Sequence, residues 1–96
     1  MSSKIHPINT LDFFKALSDP TRLALLALLF EQPEKCVCEL VETLEQPQPT
    51  VSRHLAHLKR LGIIDSERRG TWMWYKMSDT LPTWCEQVLQ ITFTHS

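Results

Sequence analysis

Two prolines, Pro47 and Pro49, stand between two amphipathic runs and constrain this chain more than any other feature. Before them, Val37, Leu40, Val41 and Leu44 recur at i, i+3, i+4 and i+7, the spacing of one helical face. Proline is tolerated only in a helix's first turn, so one helix must stop here and another begin. In the second, Val51, Leu55, Leu58 and Leu61 form the inward stripe, and Gly62 is placed to end it as a left-handed cap. Its outward positions carry Gln48, Thr50, Ser52, Arg53, His57, Lys59 and Arg60. A short helix, a tight turn and a basic, hydrogen-bonding helix make a helix-turn-helix whose second member can enter a DNA major groove. An ordinary helical hairpin with a solvated polar face has the same periodicity, so the rest of the chain has to decide.

Charge distribution favours the first alternative. The net charge of −1 is unpromising for a nucleic-acid binder until it is located. Residues 1–45 carry −3, residues 46–76 carry +4 and residues 77–96 carry −2, so the positive charge coincides with the second helix and the segment after it. A positive face on an acidic body is the electrostatic footprint of a protein that meets phosphates.

The 96 residues are read as a single domain, 1–96. A chain this short buries only about 60–65% of its unfolded surface, so a dimer interface would add stability. No apolar run reaches the roughly 18 residues of a membrane span, and no charged leader with a cleavage site opens the chain. The expectation is a cytoplasmic protein with no membrane partner.

Residues 1–9 read as a loose arm, and Thr10 to Leu17 as a short first helix with Leu11, Phe14 and Leu17 at three-residue spacing. Ser18-Asp19-Pro20 is a stop and restart, Asp19 capping and Pro20 taking the first helical position. Leu23–Phe30, apolar all round, predicts a helix central to the core. Glu31 to Lys35 reads as a loop. After the second helix of the motif, Ile63–Arg68 and Trp72–Met77 read as two strands around Arg69-Gly70. A hairpin in this position is a wing, and it would bring Arg68, Arg69 and Lys76 beside a phosphate backbone or minor groove. Residues 79–93 read as a final helix with Leu81, Trp84, Cys85, Val88, Ile91 and Thr92 along one side. No later segment covers that stripe, so it is expected to form a two-fold dimer. The fold class is therefore mainly α with a small β hairpin: a winged helix-turn-helix of order α-α-α-α-β-β-α, as a homodimer.

That order, and several local strings, resemble the ArsR family of small winged-helix metalloregulatory repressors across nearly the whole length. The strings are FFKALSDPTRLALLALL, KCVCELV, TVSRHLAHLKRLGII and GTWMWYKMSDTLPTW. The CVC of Cys36-Val37-Cys38 is similar to the arsenite- and antimonite-responsive branch. The resemblance implies a dimeric repressor on a pseudo-palindromic double-stranded operator, released when As(III) or Sb(III) binds, and so control of arsenical resistance genes. In that branch a third cysteine commonly follows the second by three residues; here that position is Val41.

Three cysteines, two of them one residue apart, make a poor disulfide framework and a better thiol or metal site. Thiolates at a helix N-terminus are expected to have depressed pKa values and to select soft ions. Cys36 and Cys38 are placed on the first turn of the helix, where residues two apart point about 160° away from each other, so one ion held by both would have to distort that turn. Two sulfurs leave trivalent arsenic or antimony one ligand short, to be supplied by solvent, a small thiol or Cys85. Zinc, which wants four protein ligands, is disfavoured. His54 and His57, at i, i+3 on the second helix, could in principle hold a metal, but the favoured reading packs His54 at the helix boundary and turns His57 to DNA; Asp79 with His95 is too little for a final-helix site. Side chains expected on base edges and nearby phosphates are Gln48, Thr50, Ser52, Arg53 and His57, with Arg60, Arg68 and Arg69 on phosphate. An alternative keeps the fold but makes the cysteines a redox switch, closing a disulfide between Cys85 and Cys36 or Cys38. A thiol enzyme is the weakest reading, because no βαβ scaffold or substrate pocket is signalled.

Overall fold

In the computed structural model, which describes residues 8–94, the chain runs α1 (Thr10–Leu17), α2 (Pro20–Glu31), β1 (Lys35–Cys36), α3 (Val37–Leu44), α4 (Gln48–Arg60), β2 (Ile64–Arg69), β3 (Trp72–Met77) and α5 (Thr83–Thr94). This is a winged helix-turn-helix, mainly helical with an antiparallel hairpin. One element was not foreseen. The loop expected at Glu31–Lys35 ends in the two-residue strand β1, which joins the hairpin to give a three-stranded sheet of order β1-β3-β2. Lys35 pairs with Tyr75 and Cys36 with Trp74.

Local chemistry explains most boundaries. Asn9 Oδ1 accepts from the Asp12 amide at 3.1 Å and starts α1. Asp19 Oδ2 accepts from the Thr21 and Arg22 amides at 2.9 and 3.0 Å, with Pro20 in the first turn of α2. Those amides hold the Asp19 carboxyl below the usual range, the Arg22 amide contributing most. Pro47 and Pro49 occupy the N-cap and first turn of α4, as their chemistry requires. Gly62, at φ +85°, ends it. The anticipated arm is anchored at its end, where Ile8 is buried and Asn9 caps; residues 1–7 lie outside the described residues.

Two boundaries moved. The hairpin strands reach Arg69 and Trp72, which face each other, so the loop is Gly70-Thr71 rather than Arg69-Gly70. Gly70 takes φ +65° at the first central position, which a side chain would disfavour. The last helix begins at Thr83, not Asp79, because Pro82 restricts the residue before it and fits a helix start. The Pro82 carbonyl accepts from the Cys85 and Glu86 amides, and the buried Ser78 hydroxyl accepts from the Thr80 amide to shape the approach.

The core takes Phe13 from α1, Leu25, Leu26 and Leu29 from α2, Leu40 from α3, Val51, Leu55 and Leu58 from α4, and Cys85 and Leu89 from α5. Each such leucine contributes roughly 1.5–3 kcal/mol by leaving water. Leu28 and Phe30 of α2 are half-buried against the same cluster. Arg22 joins three elements: its guanidinium donates to the Ala16 and Lys15 carbonyls at the end of α1 and lies 3.3 Å from His54 Nδ1 on α4. Among the described residues no helix is long and apolar enough to cross a membrane.

Candidate metal centre and nucleic-acid interface

Cys36 does not lie on the helix. It is the last residue of β1 and the N-cap of α3, with extended backbone at φ −74° and ψ 149°. The expected divergence of the two cysteines therefore does not arise, because helical rotation applies only to residues with helical backbone. Cys36 Sγ instead turns over the first turn, accepts from the Cys38 amide at 3.4 Å and lies 2.8 Å from Cys38 Sγ. Glu39 Oε1 accepts from the Cys36 amide at 2.9 Å, closing a capping box in which cysteine stands where serine or threonine usually does. The sequence signal was Cys36-x-x-Glu39.

The site is half open: Cys36 is buried, Cys38 exposed. The expected depression of both thiol pKa values is not what the geometry produces at Cys38. Its thiol is pushed above the ordinary cysteine range, first by its hydrogen bond with Cys36, then by desolvation and by the charge Cys36 would carry. Two sulfurs this close resist being thiolates together, and a soft cation removes that resistance by taking both. With metal–sulfur bonds of roughly 2.3 Å, one ion needs its sulfurs somewhat further apart than 2.8 Å. Modest side-chain rotation supplies this, so the pair fits two-thiolate ligation.

Cys85 is a different kind of thiol. It is buried on α5, and burial alone pushes its pKa up to about 11. No hydrogen-bonding contact joins it to Cys36 or Cys38, and no three His, Cys, Asp or Glu gather into a metal cluster among the described residues. Neither the third-ligand position nor the alternative disulfide is prearranged in a single chain. His54 Nδ1 faces Arg22 and His57 Nδ1 lies 3.0 Å from Arg60, so the two histidines do not converge on a shared site. Asp79 ion-pairs with Lys76 at 3.0 Å, and His95 lies outside the described residues.

The residues expected to meet DNA divide by position on α4. Arg53, Lys59 and Arg60 are exposed, as is Gln48 at the first turn, whereas Thr50, Ser52 and His57 are half-buried at the flanks. Pro49 and Ala56, passed over in the sequence, are exposed on the same crest as Arg53 and Arg60. A methyl there is suited to a thymine methyl. Burial, then the nearby charges of Arg22, Arg60 and His54, hold the His57 imidazole below its ordinary pKa against the opposing pull of Asp12, so it favours the neutral form.

On the wing, Arg68 is exposed, but Arg69 is engaged. It donates to both oxygens of Glu34 at 2.8 Å and to Glu67 at 3.1 Å, and its guanidinium carbon lies 5.2 Å from the Trp74 ring centroid. These carboxylates, Glu34 foremost, raise the Arg69 pKa further above its already high ordinary value.

Comparison with known proteins identifies the family and the fold. Residues 19–66 match the family model described as bacterial regulatory protein, arsR family. The chain is 43% identical over 81 residues to the arsenic resistance transcriptional regulator ArsR2 of Pseudomonas putida, covering 84% of this chain and 70% of that protein. It is 40% identical over 79 residues to the arsenical resistance operon repressor of Escherichia coli, covering 82% and 68%. Among solved structures, HlyU from Vibrio cholerae superposes with a TM-score of 0.76 at 28% identity, covering 85% of each chain.

Proposed function

The chain belongs to the ArsR family of bacterial regulatory proteins, and from that premise we propose that it occupies a pseudo-palindromic operator as a homodimer and leaves it when trivalent arsenic or antimony binds Cys36 and Cys38. It is a DNA-binding transcriptional repressor, not an enzyme. The observation that carries the sensing half is the 2.8 Å approach of Cys36 Sγ to Cys38 Sγ, one thiol buried and the other open to solvent. Soft thiolates match soft semimetals, and Val41 in place of a third sulfur leaves solvent hydroxide or a small thiol to complete three-coordination. Burial pushes the Cys85 thiol up to about 11, which disfavours it as a thiolate donor at neutral pH.

On the DNA side, Arg53 and Gln48 from the exposed face of α4, with Thr50, Ser52 and His57 at its margins, are assigned to base edges and adjacent phosphates. Arg60, Arg68 and Arg69 are assigned to phosphate. The dimer is assigned to α1 and α5. Leu11 is 69% exposed and Phe14 48%, and Phe14 lies 6.3 Å from Trp84 of α5, so the two helices share an apolar outer face. Two-fold pairing there would set the reading helices about one turn of DNA apart, or a multiple of it.

Release follows from the double role of Cys36. Drawing its sulfur to an ion removes the acceptor of the Cys38 amide and loads the cap of α3, which packs beside α4. The same residue anchors β1 to the wing strand. Emptying an operator needs a bias of about 3–4 kcal/mol toward the DNA-free state, a loss of roughly 10²–10³ in affinity. DNA must then weaken semimetal binding by the same factor. Operator DNA and protein titrated in turn with arsenite, antimonite, cadmium and zinc test the reading. Release by the first two at concentrations where zinc does nothing is expected; release by zinc alone would end it.

A further inference from the structure

Arg69 is where the wing meets the strand that carries the thiols. Glu34 immediately precedes β1, and Trp74, beneath the Arg69 guanidinium, is the register partner of Cys36. Glu34 offers Arg69 a planar pair of oxygens, each 2.8 Å from a guanidinium nitrogen. That is also how arginine takes a phosphate, and the same N–H groups cannot serve both at once. From 35 residues away in sequence, Glu34 thus holds the position a DNA phosphate would need.

We propose that Glu34 is an intramolecular competitor for phosphate at Arg69: it fills the wing arginine in the DNA-free protein, and Arg69 reaches a duplex only by releasing it. The proposal rests on the DNA-binding reading and adds to it a residue that lowers operator affinity. Both side chains are more than a third exposed, so the contact is a modest brake rather than a lock. Glu67 remains beside Arg69 when Glu34 is removed, which also keeps the effect small.

The test is a double-mutant cycle in a salt titration, using a duplex selected from random sequence by the wild-type chain. Glu34→Gln is expected to bind it roughly two- to fivefold tighter, the factor a half-exposed ion pair is worth. Arg69→Gln should bind more weakly, with a log–log salt slope shallower by about 0.9 per subunit. In the Arg69→Gln background, Glu34→Gln should have lost its effect. Glu31→Gln, three positions earlier and exposed, removes the same charge without touching Arg69 and should change affinity much less. Unchanged or weaker binding by a normally melting Glu34→Gln overturns the proposal, as does equal tightening in the Arg69→Gln background or by Glu31→Gln. If the wild-type chain selects no duplex, the DNA-binding reading fails and the proposal with it. If it binds and the cycle shows no coupling, only the proposal fails.

Discussion

Cys36 stands opposite Trp74 in the β1–β3 ladder, so the buried thiol of the pair is fastened to the wing as well as to α3. The proposed sensing residue thereby touches both parts of the fold assigned to DNA. Its sulfur belongs to the cap of the first helix of the helix-turn-helix. Its backbone belongs to the strand pairing that positions the wing. Displacing it disturbs both at once, with no long chain of intermediaries.

The cap role makes the two cysteines unequal on substitution. Serine is a better N-cap than cysteine, so Cys36→Ser should keep the fold and melt at or slightly above the wild-type temperature. Cys38→Ser, on the exposed side of the pair, should leave stability nearly unchanged. Both should hold the operator in arsenite that releases the wild type. Gel-shift release curves with melting curves check this, and release persisting in both variants would place the sensor elsewhere.

Cys85 should behave as core. Cys85→Ala is expected to cost about 1 kcal/mol or more of stability through a small cavity, while arsenite release at neutral pH shifts little. Its thiol, pushed up to about 11, is almost wholly protonated there. Unfolding in urea alongside a release titration separates the two effects. A tenfold loss of inducer sensitivity with normal operator affinity would instead make Cys85 the third ligand.

Local periodicity and punctuation were legible in the sequence. The Val51-Leu55-Leu58 stripe and the Asp19-Pro20 restart stand where they were expected. The thiol geometry was misjudged because a helical rotation was applied to Cys36, a residue with extended backbone, although Glu39 three positions on marked it as a cap. Strand β1 is too short for any alternation to show. The Glu34–Arg69 pair had no local signal at all, since only the folding of the hairpin against the segment before α3 brings the two together.

Arg22 should be a structural keystone between α1 and α4. It answers two carbonyls at the end of α1, Lys15 and Ala16, and reaches His54 on α4. The Lys15 carbonyl also accepts from the Ser18 amide and hydroxyl, so the outside donor matters most at the Ala16 carbonyl, in a last turn whose carbonyls lack intrahelical partners. Arg22→Ala is expected to cost about 1–3 kcal/mol, read by chemical denaturation. Arg22→Lys should recover little, because one ammonium cannot span three acceptors in different directions. A lysine variant as stable as the wild type would show that charge alone matters there.

With His57 at the DNA face as proposed, operator binding should carry a pH dependence whose sign is fixed by its surroundings. Its folded-state pKa lies below the ordinary 6.5, from burial first and then from Arg22, Arg60 and His54. The unfolded chain therefore holds more protons as pH falls below about 6.5, and the His57 contribution to stability, complete above that pH, is lost on acidification. A duplex acts in the opposite direction. Phosphates near α4 favour the imidazolium, so binding takes up a proton and affinity rises as pH falls, by at most about tenfold per pH unit for each proton. The two trends separate experimentally: lower melting temperature of the free protein but tighter operator binding between about pH 7.5 and 5.5, the range spanning the ordinary histidine pKa. His57→Gln should flatten both relative to the wild type. An unchanged pH slope of operator affinity in His57→Gln would remove this residue from the DNA face, whatever its effect on stability.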